Sequence, residues 1–312
     1  MTMTKILLSL VLLLLSSSAN AQGGCSDAGV CTLGGHSTAE PDGSHRLTAG
    51  LTQVFALATD YSYFETVPRI GYDLDLVQLD LSLLYRVANA RYASEPVRTQ
   101  SVISGGGKLP AIQHVTVETN KIMTHYALGD AKLAMTIPVD EIATGLDLNF
   151  AWAQPLTKLY EDRPQEMQST LGLPSFLGGI SYDRGDDALS YGATVAYQTT
   201  FGEQNALHLT RADDLALALR MRGELSTVLT GGLDASFIQH LDEDKLHSIP
   251  TGPGSAMPST KGLTINLGGS LSTELSASSS LGLYVAAPVL SKAHVDGLER
   301  SFVSGLFLNM AW

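Results

Sequence analysis

Large apolar side chains fall at every second position through most of this chain, and that spacing limits what it can build. "LDLNFAW" sets Leu146, Leu148, Phe150 and Trp152 on one face and Asp147 and Asn149 on the other. "LSYGATVAYQTTF" sets Leu189, Tyr191, Ala193, Val195, Tyr197 and Phe201 against Ser190, Gly192, Thr194, Gln198 and Thr200. "DLALALRMR" repeats the pattern, with Leu215, Leu217, Leu219 and Met221 opposite Arg220 and Arg222; "GLTINLGGSLS" and "SLGLYVAAPV" continue it. Period two belongs to a β-strand with two unlike faces, whereas an amphipathic helix needs three- and four-residue spacing. The same segments are rich in Gly and Thr, which weaken helices.

Less regular segments keep the phase. Leu47, Ala49, Leu51, Phe55 and Leu57 alternate, with Gln53 as the exception. Leu79, Leu81, Leu83 and Tyr85 stand against Gln78, Asp80 and Arg86. Over 114–128, Glu118 and Asn120 oppose Val115 and Val117, and Lys121 interrupts the apolar face. Leu229, Leu233 and Phe237 oppose Asp234 and Ser236. Turn chemistry appears at "LGDA" (128–131), "RGDD" (184–187), "FGEQ" (201–204) and "RADD" (211–214), and longer loops are expected near 89–111, 156–175 and 242–261. The spacing predicts about twelve strands of roughly 9–14 residues in a single domain.

Composition agrees with alternation. Charged residues are 16% of the 312-residue chain, against about a quarter in soluble domains. After the N-terminus no apolar run approaches the ~20 residues of a membrane helix. The N-terminus itself carries Lys5, the run "ILLSLVLLLL" and the small-residue site Ala19-Asn20-Ala21. This reads as a secretory signal peptide over 1–21, cut after Ala21. Residues 22–45 form a Gly- and Cys-bearing segment, and 46–312 the alternating body. In an exported chain Cys25 and Cys31 are a candidate disulfide closing the small loop "CSDAGVC". A net charge of −12 argues against nucleic acid as a partner.

Two architectures use this pattern. A soluble periplasmic β-sandwich buries the apolar faces against each other. A transmembrane β-barrel turns them to lipid around a polar lumen. Strand length favours the barrel, because sandwich strands average about five or six residues. So do the small and polar residues of the opposite face. The C-terminus adds a third argument: "GLFLNMAW" closes the chain with Phe302, Leu306, Leu308, Met310 and Trp312 in one row. Outer-membrane barrels of Gram-negative bacteria commonly end this way. The row is read as an assembly signal for the barrel assembly machinery and as a contact with outer-membrane lipid.

Short motifs resemble the MetA-pathway of phenol degradation family of outer-membrane barrels, which is related to the long-chain fatty acid transporter group. "YALGDAKLAMTIPV" resembles that family's strand–Gly–Asp–strand hairpin at Gly129-Asp130. "AWAQPLTKLY" is similar to its strand ending in Pro-Thr-Gly, although here the run is Pro155-Leu156-Thr157 without the Gly. The closing segment 283–312, with Pro288 and Gly297, is similar to its final hairpin. The resemblance implies passage of small hydrophobic or aromatic compounds across the outer membrane. It also implies that the N-terminal segment folds inside as a plug.

Candidate lumen-facing residues are Asp80, Arg86, Glu118, Asp147, Arg220, Arg222 and Asp234. They either select solutes or pair across strands to hold the wall. Catalysis finds no constellation. His208-Leu209-Thr210 has Thr where a serine nucleophile would stand. "HLDEDKLH" (240–247) gathers possible metal ligands but reads better as a solvated acidic loop. "SGGGK" (104–108) lacks the Ser/Thr of a phosphate loop. No enzyme, cofactor or metal is expected. The competing functional reading is a structural or surface barrel with a filled lumen.

Overall fold

The structure, a computed structural model, describes residues 47–312 except 59–60, 75, 94–96, 104–110, 118–119, 140–141, 160–168, 171, 187, 203, 206–207, 248–254, 257–259, 277 and 292–299. The expected signal peptide, the Cys25/Cys31 pair, the plug segment and "SGGGK" therefore lie outside the described residues, as does Glu118.

The described residues form strands and no helix: β1 (Leu47–Ala58), β2 (Tyr61–Asp73), β3 (Gln78–Ala93), β4 (Val97–Ile103), β5 (Ala111–Val117), β6 (Asn120–Pro138), β7 (Leu146–Pro155), β8 (Ser175–Gly185), β9 (Leu189–Thr200), β10 (Leu209–Thr210), β11 (Asp214–Ser226), β12 (Leu229–His240), β13 (Lys245–Leu246), β14 (Ser255–Ala256), β15 (Gly262–Ser276), β16 (Ser279–Ser291) and β17 (Arg300–Ala311). Twelve of them close an antiparallel barrel in the order β1-β17-β16-β15-β12-β11-β9-β8-β7-β6-β3-β2. The first and last strands seal it. Leu51 faces Leu308, and Leu47 and Trp312 exchange backbone hydrogen bonds of 3.2 and 2.8 Å. Closure leaves the barrel sheet without a free edge, and it removes the sandwich alternative.

The alternation read from the sequence separates the inside of the barrel from the outside. Leu81, Leu133, Ile180, Val195, Leu233 and Leu267 are exposed on the outer surface. On the inner faces of the barrel strands Val54, Ala56, Glu65, Arg86, Ala196 and Ala216 are buried. Outward aromatics collect toward the two rims. Tyr72, Tyr191 and Trp312 stand at one end; Phe55, Phe64, Tyr85, Trp152 and Phe201 stand at the other, where Trp152 stacks on Phe201 at 5.2 Å.

Connections sort by end. The turns 74–77, 139–145, 186–188, 227–228 and 277–278 share one end with the C-terminus, here the turn end. The connections 94–119, 156–174, 201–213, 241–261 and 292–299 share the other, the loop end, where only 59–60 is short. Two loops carry structure of their own. β4 and β5 pair as a hairpin between β3 and β6, and β10, β13 and β14 form a small sheet from the loops 201–213 and 241–261.

Three sequence expectations fail here. "LGDA" is not a turn, because β6 runs straight through Leu128–Ala131. β3 bulges opposite, between Leu83 and Tyr85, and a Cβ on Gly129 would collide with Leu84 and the Ser169 carbonyl. The glycine is needed for close approach within a strand, and the hairpin of the resembled family is absent at this point. The 89–111 loop is largely strand, since β3 continues to Ala93 and β4 begins at Val97. Finally, 114–128 is two elements, with β5 in the side hairpin and β6 in the barrel wall.

Candidate functional site

Register places the interior residues in rungs. From β8 through β9, β11 and β12 to β15, the first runs Asp183, Gly192, Arg220, Asp234, Gly268, and the next Ser181, Thr194, Ala218, Ser236, Asn266. Toward the loop end follow Gly179, Ala196, Ala216, Ile238, Thr264, then Leu177, Gln198, Asp214, His240, Gly262. The wall thus grades from charged through neutral polar to small apolar, and becomes polar again at the rim.

The neutral rung is tied together by hydrogen bonds. Thr136 donates to Asn149 Oδ1 at 3.0 Å, and Asn149 Nδ2 donates to Ser181 Oγ at 2.8 Å. Asn266 Nδ2 donates to Ser236 Oγ at 3.1 Å.

Charged residues on these faces lie along the wall. Arg86 is buried, with its Nε donating to Glu65 Oε1 at 2.7 Å and Nη2 lying 2.5 Å from the same oxygen. Its guanidinium sits 4.6 Å from the centre of the Tyr63 ring, a cation–π contact. Arg69 and Asp80 pair at 3.3 Å. Arg220 donates from Nε to Asp183 Oδ1 at 2.7 Å, and its Nη2 bonds the other carboxylate oxygen. That fork crosses β9 above Gly192, where a Cβ would strike both side chains.

Of the sequence candidates, Asp80, Arg86 and Arg220 are thus held in ion pairs. Asp147 shares a face with Ser181 and Pro138. Arg222 faces Ser190 and Gly232. Asp234 lies opposite Arg220 and Gly268. Along β17 and the Trp312 that follows it, Leu306, Met310 and Trp312 are exposed and Phe302 and Leu308 half-buried, while Val303, Phe307 and Ala311 on the other face are buried.

The sequence reading missed Glu65, Arg69 and Asp183, the partners of three candidates. Tyr61, Tyr63 and Glu65 alternate and were a usable signal. Asp183 stood beside "RGDD" and was hidden by the turn it precedes. One sector of the interior is filled: Val54, Ala56, Tyr61, Tyr63, Ala88, Ala90 and Val303 form a buried apolar cluster, with Met123, Tyr284 and Ala287 against it.

At the loop-end rim the "HLDEDKLH" residues go to separate partners. His240 pairs with Asp214. Asp244 accepts from the Ala212 amide at 2.8 Å and lies 3.7 Å from Arg211. His247 Nε2 and Thr210 Oγ1 are 2.8 Å apart. The loops are clasped together by these contacts, and no group suited to a metal ion occurs among the described residues.

No family profile and no curated protein matches the sequence. Solved structures do match. The COG4313 outer membrane channel from Pseudomonas putida F1 superposes with a TM-score of 0.60 at 9% identity, over 86% of this chain and 96% of that one. The NanC porin gives 0.48 at 5% identity, over 85% and 98% of the two chains. The CymD monoaromatic hydrocarbon channel gives 0.42 at 9% identity, over 86% and 89%. At such identity the likeness is one of fold, and it sets this closed twelve-strand barrel beside the architecture of the COG4313 outer membrane channel.

Proposed function

We propose that the protein is an outer-membrane channel of a Gram-negative bacterium that passes small solutes, hydrophobic or aromatic compounds among them. The observation that carries this reading is the inverted surface. Leucine, isoleucine and valine are exposed around the barrel, aromatics stand toward both rims, and the polar residues face inward. Water does not tolerate so large a contiguous apolar surface, whereas a bilayer requires one. In a membrane the turn end would face the periplasm and the loop end the outside.

The solute class rests on the MetA-pathway resemblance and is the finer part of the proposal. We read residues 22–45 as a plug and assign no catalytic step. A second reading, a structural barrel with a filled lumen, draws on the buried cluster around Tyr63 and Val303.

The test is uptake by vesicles holding the purified barrel, with gel migration of heated and unheated samples as the check of folding. Solute-dependent flux through a heat-modifiable barrel supports the channel. A folded barrel that passes nothing, even after removal of 22–43, would leave the filled structural barrel as the better account.

A further inference from the structure

Two ion pairs in the turn-end half of the interior lie against glycines. The Arg220–Asp183 fork spans β9 at Gly192, where a Cβ would strike Arg220 Nε and Asp183 Oδ1. On β2, Gly71 faces Asp80 in register, and a Cβ there would strike the Asp80 carboxylate and Thr48 Oγ1. Asp80 is the partner of Arg69. The two glycines stand far apart around the ring. β8, β7, β6 and β3 separate them one way, and β11, β12, β15, β16, β17 and β1 the other. The same arrangement thus occurs in two independent parts of the wall.

Arg86 and Glu65 give the contrast. They face each other in register, flanked by Val54 and Ala127, and their side chains are 3% and 0% exposed in the packed sector. The glycine-backed pairs border open space instead: Arg220 and Asp183 are 14% and 41% exposed, Arg69 and Asp80 30% and 29%. Charge on the β9 side is matched locally, since Asp234 lies within electrostatic reach of both Arg220 and Arg222. What a glycine changes at these rungs is therefore width.

Glycine within a strand allows another group to approach the backbone closely. At Gly192 and Gly71 that group includes the end of a charged side chain, and it lies flat where a Cβ would otherwise stand. Carboxylate oxygens and a guanidinium are flexible ends, so a methyl group would displace them without breaking the strand. The backbone lies behind them, and the lumen is the direction left to move in. We infer that Gly192 and Gly71 are positioning residues that set the aperture of the turn-end half of the lumen, by keeping the two ion pairs flat against the wall. The size of solute admitted then depends on positions that offer it no chemistry of their own. The inference rests on the channel reading.

Conductance of the purified full-length barrel in planar bilayers, under symmetric potassium chloride, provides the test. Gly192→Ala and Gly71→Ala should each conduct less than the wild type, and in vesicles the uptake of wide solutes should fall more than that of narrow ones. Gly268→Ala is the control. It adds the same methyl group to the rung of Gly192, beside the Val285 carbonyl and Ala286 and against no charged side chain, and should conduct close to wild type. Adding Asp183→Ala and Arg220→Ala to Gly192→Ala should restore the conductance, which a distorted strand would not allow. Wild-type conductance in both heat-modifiable glycine variants, or an equal loss in Gly268→Ala, overturns the aperture and leaves the channel standing. If Gly192→Ala fails to fold, Gly71→Ala decides by the same readings. A heat-modifiable wild-type barrel with no conductance at all overturns the channel reading and the aperture with it.

Discussion

Buried charge inside the wall is held by fixed geometry. Arg86 gives two nitrogens to one oxygen of a fully buried Glu65 and lays its plane near Tyr63. Taking one partner away leaves the other as an uncompensated charge, which typically costs about 3–5 kcal/mol. Arg86→Ala should therefore lower the stability of the folded barrel by about that amount, measured as the shift in urea midpoint in lipid vesicles. Arg86→Lys should recover only part of it, because an ammonium lacks the planar fork. A shift within error for Arg86→Ala would mean the pair does not hold the wall. The inward side of Arg86 was readable from Leu81, Leu83 and Tyr85 on the opposite phase. The inward side of Glu65 was readable in the same way from Tyr61 and Tyr63, but the pairing of the two was not, because they meet only through the β2–β3 register. The same holds for Asp183 and Arg220, which are joined across a whole intervening strand.

At the scale of elements, glycine and aromatic residues answer one another. In the terminal hairpin Gly282 faces Phe307 and Tyr284 faces Gly305. A Cβ on Gly282 would enter the Phe307 ring, and one on Gly305 would enter the Tyr284 ring. Each ring lies flat over the glycine opposite and fixes the register of β16 on β17. Gly282→Ala should destabilise the barrel, and Phe307→Ala should relieve part of that loss in the double variant. Contacting residues couple by about 0.5–3 kcal/mol, a size that a cycle of four urea midpoints resolves. Strict additivity would contradict the rung. The strands of this hairpin were legible from period two alone. The rungs were not, since a glycine at an alternating position announces no particular neighbour. "LGDA" misled for a related reason: Gly-Asp is turn chemistry locally, and the contacts that keep Gly129 in a strand come from β3 and the 156–174 connection.

At the scale of the molecule, the barrel is closed by its last residues. Loop lengths alternate by end, a regularity concealed in the sequence because β4, β5, β10, β13 and β14 add strand-like segments within the loops. Trp312 bonds Leu47 through its backbone and leaves its ring exposed. Trp312→Asp should therefore spare the backbone pair and still reduce outer-membrane assembly, with the unassembled chain accumulating in the periplasmic fraction. Normal membrane levels would count against the terminal row as a signal. The last prediction concerns which side of the wall meets lipid. Leu267 is exposed on the outer surface of β15, in mid-strand. Ser270 lies on the inner face, opposite Gly232, where Arg222 approaches from β11. If a bilayer surrounds the barrel, Leu267→Arg places a charge near its midplane at a cost of about 2–4 kcal/mol. Ser270→Asp sets a carboxylate beside a guanidinium in a polar interior and should cost a small part of that. Both are read as urea midpoints in vesicles. In an aqueous setting the order reverses, because an outer arginine would be solvated and an inner carboxylate would have to be accommodated. The sign of the difference between these two variants therefore reports whether the outer surface of the barrel lies in a membrane.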